Sequence, residues 1–223
     1  MPLTPTWRFA PSVHAVIDSG ALVMLDIRAD AYYCLPAAGE GLPPGPIDAD
    51  VKRLPRDLLA ELAAAGLIVE AVSASPRALA VTPVTSDLSR DVLPRPRLAD
   101  GARLSQAMAR LAPSFWRKPF AEVLDHGRRR RQLLAGDRGE LAETLLAQAR
   151  LFNAVLPWSP VQGACLFQAT LLLEFLAARG LAADWVFGVR TWPFSAHCWV
   201  QAGGTVLNDT VERVAPYRQI LRV

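Results

Sequence analysis

Near residue 180 the chain changes its hydrophobic period, and that change most constrains what it can fold into. From about Cys165 to Arg179 the sequence is apolar at helical spacing, and Gly180 follows as a stop. Beyond it the pattern shortens. Trp185–Val189, Ala196–Gln201 and Val206–Asp209 read as strands, with Gly203-Gly204 as the hairpin turn between the last two. An apolar helix followed by a strand and a hairpin is the order of an α+β domain.

Upstream, Leu98–Leu111, Phe115–Leu134 and Glu140–Leu156 read as further helices, the last ending at Pro157. Between Ser73 and Pro96 the periodicity fades, and Pro76, Pro83, Pro94 and Pro96 punctuate a linker. In front of it, Val13–Asp18, Leu22–Ile27 and Ala31–Leu35 form a predicted three-stranded meander, broken by Ser19-Gly20 and Arg28-Ala29-Asp30. Residues 36–50 are a Pro/Gly/Asp-rich loop. Pro55 then opens a helix bearing Leu58, Leu59, Leu62 and Ala65, Gly66 closes it, and Leu67–Val72 is a strand. This is the pattern of a small winged-helix-like unit. The expected organisation is residues 1–75 as one domain, 76–96 as linker and 97–223 as the second domain.

Charge divides the chain in the same place. Residues 1–75 hold five Lys/Arg against nine Asp/Glu, a net −4, and residues 76–223 hold nineteen against twelve, a net +7. The run Arg128-Arg129-Arg130-Arg131 has no aromatic interleaving, which argues against nucleic-acid binding. A solvated helix face, or a patch meeting a partner or the acidic front unit, is the expectation. No basic segment with a sustained apolar core opens the sequence, so no signal peptide is expected. No uncharged run reaches the ~18 residues of a membrane span. Cys34, Cys165 and Cys198 form neither an even set nor a CxxC pair, which points to a reducing cytoplasm without disulfides. His14 and His126 lie far from zinc-ligand spacing, and no metal or cofactor is expected.

The chemistry-bearing residues cluster late in the chain. Gln162-Gly163-Ala164-Cys165 ends a loop and opens the apolar helix. A cysteine there faces unpaired N–H groups and the positive end of the helix dipole, which favour thiolate. The same N–H groups can stabilise an oxyanion, and Gln162 is a possible side-chain donor to it. In Ala196-His197-Cys198-Trp199-Val200, alternation sets His197 and Trp199 on one face and leaves Cys198 on the other, as packing. The returning strand brings Asp209 toward His197, where it is expected to accept the Nδ1 proton and aim the ring at a thiol. A helix-opening Cys, a His 32 residues on and an Asp 12 further match the helix–strand–strand order of a thiol-enzyme core.

The stretch from Gln162-Gly163-Ala164-Cys165-Leu166 through Pro193-Phe194-Ser195-Ala196-His197-Cys198-Trp199-Val200 to Leu207-Asn208-Asp209 resembles the transglutaminase-like leader peptidases of lasso-peptide biosynthesis, the B proteins. The resemblance covers residues 95–223. It implies a transglutaminase-like, papain-like cysteine peptidase domain with Cys165, His197 and Asp209 as its catalytic set. It also implies a precursor peptide as substrate and an ATP-dependent asparagine-synthetase-like cyclase as partner. The front unit looks like the PqqD-type leader-recognition domain of that family, shortened by its Pro-rich segment 36–50. There a leader adds as a strand to the third β-strand and lies against a helix. By that likeness Tyr32, Tyr33 and Cys34 would lie on the receiving edge, and Leu58 and Leu62 on the bordering helix. Two other readings stay open: a thiol acyltransferase that passes the thioester to an amine, and a non-catalytic precursor-binding chaperone.

Overall fold

The computed structural model describes residues 6–47, 51–71, 81–115, 118–133, 139–159 and 164–223. These form two compact units. The first is Met1–Val81 with Gly188–Ala196 and Tyr217–Leu221; the second is Thr82–Phe187 with His197–Pro216 and Arg222–Val223.

In the first unit, strands β1 (Thr6–Phe9), β2 (Val13–Asp18), β3 (Ala21–Asp26), β4 (Ala31–Leu35) and β5 (Gly45–Pro46) precede helix α1 (Arg56–Ala64) and strand β6 (Ile68–Ala71). Four of them make a sheet in the order β4-β3-β2-β5, antiparallel throughout. The meander read from the sequence is there, widened by β5. A second pairing, β1 with β6 in the register Phe9↔Ile68, was not visible in the pattern because β1 offers only four residues. Val13, Ala15 and Ile17 from β2 join Leu22 and Met24 from β3, with Leu62 from α1, in one core. Val16, Val23 and Leu25 on the opposite face are also buried. A sheet covered on both faces explains why β2 and β3 read as nearly continuous apolar runs rather than alternating ones.

Part of that second covering is polar. The Asp18 carboxylate, 6% exposed, accepts hydrogen bonds from the Thr191 N–H (2.9 Å), the Thr191 hydroxyl (2.7 Å) and Arg218 Nε (3.2 Å). Nearby, Tyr32 meets Phe194 edge to face with ring centres 5.9 Å apart. The first unit is therefore completed by segments more than 100 residues downstream.

The second unit takes in strand β7 (Ser86–Asp87), helices α2 (Leu98–Phe115), α3 (Phe120–Leu133), α4 (Gly139–Val155) and α5 (Cys165–Ala177), and α6 (Val211–Val214). Strands β8 (Asp184–Arg190), β9 (Ser195–Ala202), β10 (Thr205–Val206) and β11 (Arg218–Arg222) build a sheet with β7 in the order β11-β8-β9-β10-β7. Helix α5 packs with α2 and α4. Phe167, Ala169, Leu171, Leu172, Phe175 and Leu176 are all buried, as expected of a helix this rich in apolar residues. Phe115 of α2 packs edge-on against Phe167, and Phe152 of α4 against Phe175.

Two expectations change here. Of the stretch read as linker, residues from Thr82 onward belong to the second unit, and β7 lies parallel to β10 with Ser86 opposite Thr205. Gly204 makes that approach possible: a Cβ on it would stand 2.4 Å from Thr85 Oγ1. The four-arginine run is also divided: Arg129 is exposed, as a solvated face would be, but its two successors are engaged. Arg130 pairs with the buried Glu174 of α5, Arg131 pairs with Asp184 of β8, and Arg222 meets the same Asp184. These arginines neutralise carboxylates that the apolar interior would otherwise reject.

Candidate active site

Cys165 is the first residue of α5. Ala164 ahead of it is extended (φ −59°, ψ 164°) and has no side-chain oxygen to cap the helix. A helix start of this kind turns its first N–H groups and the positive end of the helix dipole toward an anion. No acidic residue stands in that turn to oppose a thiolate.

Its partners come from the β9–β10 hairpin. Gly203 turns with φ +56°, and Leu207 N–H donates to the Val200 carbonyl at 2.9 Å just beyond the two residues of β10. Asn208 Oδ1 accepts from Val200 N–H at 2.7 Å, and Asn153 Nδ2 of α4 donates to the Leu207 carbonyl at 2.8 Å. With both neighbours tied down, Asp209 faces His197, and its Oδ2 stands 2.6 Å from His197 Nε2. The nitrogen is not the expected one. Asp209 holds Nε2, and the same ring is close enough to Cys165 to lower its thiol. Trp199, buried on the same strand face, stacks on the imidazole with ring centres 6.2 Å apart and donates its own N–H to Gln201 Oε1 at 3.0 Å.

The electrostatics follow from these contacts. The Cys165 thiol is lowered to about 4: a hydrogen bond from Cys198 is the largest cause, burial opposes it, and His197 and the Cys198 N–H add to it. His197 is raised to about 9, first by its bond to Asp209 and then by Cys165. Burial would lift the Asp209 carboxyl, but His197, the Thr210 N–H and Arg213 outweigh it and hold the group below its usual range. A thiol that ionises below its neighbouring imidazolium exists at neutral pH as a thiolate–imidazolium pair. Such a pair can attack a carbonyl carbon and deliver a proton to the leaving group.

The remaining sequence-predicted residues divide. Gln162 lies outside the described residues. Cys198, expected to be packing, is 3% exposed, and its closeness is the largest cause of the lowered Cys165 thiol. Alternation does put its side chain opposite that of His197. In the first unit Tyr33 is 38% exposed on β4, the last strand of its sheet, whereas Tyr32 is partly covered by Phe194. Burial raises the Cys34 thiol, with the Asp18 charge adding to it. Leu62 is buried and Leu58 packs against the same core, so both serve α1 packing. The positioning roles of Asn208 and Asn153 went unread. Asn208 was within reach, since an Asn beside a strand end commonly bonds nearby main chain.

Three comparisons bear on kinship. No solved structure matches the chain. A stretch of 45 residues is 47% identical to the microcin J25-processing protein McjB of Escherichia coli, and it spans 20% of this chain and 22% of that protein. The model of the transglutaminase-like superfamily matches residues 107–222, just over half the chain and the whole of the Cys165–His197–Asp209 set. On that match the chain belongs to the transglutaminase-like superfamily.

Proposed function

We propose that this chain is a cysteine endopeptidase that binds a ribosomally made lasso-type precursor and removes its leader, freeing the core for macrolactam closure. The observation that carries the reading is the ordered set at the start of α5: Cys165 against His197, and His197 Nε2 2.6 Å from Asp209. The stretch shared with a microcin J25-processing protein supports a peptide-maturation role.

In this reading the Cys165 thiolate attacks the carbonyl at the leader–core junction. The first-turn N–H groups of α5 hold the resulting oxyanion. Collapse expels the core amine, which takes its proton from the His197 imidazolium, and leaves the leader as a thioester on Cys165. His197, now neutral, takes a proton from water, which hydrolyses the thioester. Asp209 keeps the ring oriented and steadies its charged form. An ATP-dependent asparagine-synthetase-like cyclase then consumes the freed amine. The PqqD-type role for residues 1–75 places an extended leader along β4, with Tyr33 beside it. A cytoplasmic setting keeps the three free thiols reduced.

The test is incubation of a precursor with the purified chain and the cyclase, followed by mass spectrometry for free leader and core. Hydroxylamine added during turnover should capture the leader as a hydroxamate. Intact precursor after prolonged incubation would sink the reading. Superfamily membership favours one rival, transfer of the thioester to an amine. A leader–amine adduct that outcompetes hydrolysis in millimolar primary amine would replace the peptidase with an acyltransferase.

A further inference from the structure

His197, Trp199 and Gln201 occupy alternate positions of β9, so their side chains share one face of the strand. All three are buried, Gln201 completely. A buried amide destabilises the fold unless its polar atoms are met, and an apolar side chain would carry no such penalty. Those of Gln201 are met throughout. Its Oε1 accepts from Trp199 Nε1 at 3.0 Å, and its Nε2 donates to the Gly203 carbonyl at 2.6 Å and to the Thr82 carbonyl at 3.1 Å. An indole N–H only donates and a main-chain carbonyl only accepts, so a single orientation of the amide satisfies all three partners. The bond matters for the indole too. The outer torsion of an aromatic side chain is broadly permissive, and the N–H contact selects one setting of the ring plane. In that setting the indole lies 28° from the plane of the His197 imidazole with ring centres 6.2 Å apart, and the imidazole keeps Nε2 2.6 Å from Asp209 Oδ2.

We propose that Gln201 is a positioning residue for His197: it acts through Trp199, fixing the indole plane that holds the imidazole in line with Asp209. The assignment rests on His197 being the proton carrier of the catalytic set. The contacts run from two main-chain carbonyls, at the Gly203 turn and at Thr82 ahead of β7, through the amide and the indole to the imidazole. Gln201 itself touches no reacting atom. The charged and titratable groups that bear on His197 are Asp209 and Cys165, and Arg213 stands 3.8 Å from the same Asp209 carboxylate. An imidazole free to tilt keeps these neighbours but loses its alignment with Asp209, the largest cause of its raised value. It then gives up its proton at lower pH.

The experiment is an NMR titration of His197 in the full chain carrying isotope-labelled histidine, for wild type, Gln201→Met, Trp199→Phe and the double variant. Methionine keeps the volume of Gln201 without its polar atoms; phenylalanine keeps a ring beside the imidazole and removes the N–H. The two changes break the same bond from opposite ends. Weakening a hydrogen bond to a charged group corresponds to a fall of about half to one pH unit in the His197 midpoint. Both single variants should show it, and the double variant should add nothing further, because the two groups form one link. Gln201→Met also strips two carbonyls of their donor and should lower Tm. A merely structural Gln201 would lower Tm alone, so His197 midpoints that match wild type in the folded variants overturn the proposal. Should the variants fail to fold, the wild-type chain with labelled tryptophan decides: the Trp199 indole signal should shift with the His197 midpoint, and an indifferent signal overturns the link. Alkylation of Cys165 by iodoacetamide, followed against pH in wild type, separates the two possible failures. An ordinary thiol profile beside an ordinary His197 midpoint would sink the catalytic reading itself.

Discussion

The two sheets end their strands differently. In the five-stranded sheet the edge of β9 stays occupied past β10: the Val200 carbonyl accepts from Leu207 and its N–H donates to Asn208. In the four-stranded sheet β4 is the last strand, no strand lies beyond it among the described residues, and Tyr33 projects at 38% exposure. One edge is closed beside the candidate active site. The other offers main-chain groups that an extended peptide can pair. Edge chemistry, more than core packing, separates the reactive half of this molecule from the proposed receiving half.

Breaking the closed edge at its nucleophile should have the largest effect. Cys165→Ala should abolish leader release, a loss of ~10⁴-fold or more, because removing the nucleophile of a unit that acts together leaves only binding and oxyanion stabilisation. Mass spectrometry of precursor incubated with the variant and the cyclase reads this, and circular dichroism should be unchanged. In the intact chain kcat/KM should trace a bell. It falls below about pH 4 as the Cys165 thiolate is protonated, and above about pH 9 as His197 loses the proton it must deliver. Asp209→Asn removes the largest cause of the raised His197 value, so the basic limb should move to lower pH. Single-turnover rates should drop less than for Cys165→Ala, by roughly 10²-fold. Rates equal to wild type would remove Asp209 from the set.

How much of this was legible follows the range of the interactions. Helix α5 and its stop were plain, because a 13-residue apolar segment ended by Gly180 depends on local pattern alone. Cys165, His197 and Asp209 could be named, since their placement needs only a helix start and one hairpin. Long-range polar contacts were not readable. Nothing near Asp18 in sequence marks it as the acceptor for Thr191 and Arg218, and nothing near Arg130 marks Glu174 as its partner. Strand β7 was lost inside a proline-rich stretch because two residues carry no period, and only Gly204 across the sheet accounts for it. The ring nitrogen facing Asp209 depends on a side-chain rotation that residue order does not set.

The rim of the closed edge can be stressed without touching the reactive groups. Gly204→Ala puts a methyl 2.4 Å from Thr85 Oγ1, so Thr85 must move and the main-chain bonds from Thr85 and Ser86 to the Gly204 carbonyl weaken. Overpacking of this kind costs about 1–3 kcal/mol. For a chain of this size it should lower Tm by several degrees. Thermal melting followed by circular dichroism checks it, and an unchanged Tm would mean that β7 contributes little to the sheet.

The open edge is where the smallest effect is expected and where the comparison is most exposed to failure. If β4 receives the leader, main-chain pairing supplies most of the affinity and a single side chain tunes it. Tyr33→Ala should then weaken leader binding by about 3–10-fold, the ~0.5–1.5 kcal/mol of an aromatic cross-strand contact. The first unit includes Gly188–Ala196 and Tyr217–Leu221, so the measurement belongs in the full chain, with Cys165→Ala as background to prevent turnover. Fluorescence anisotropy of a labelled leader peptide gives the Kd. Tyr32→Ala is the internal control: Tyr32 already spends part of its ring on Phe194, so its loss disturbs the first unit and should also lower Tm. A drop in affinity at constant Tm for Tyr33→Ala, against a drop in both for Tyr32→Ala, would identify β4 as a receiving edge. Unchanged affinity in both variants would leave β4 an ordinary sheet edge and move leader recognition to another surface.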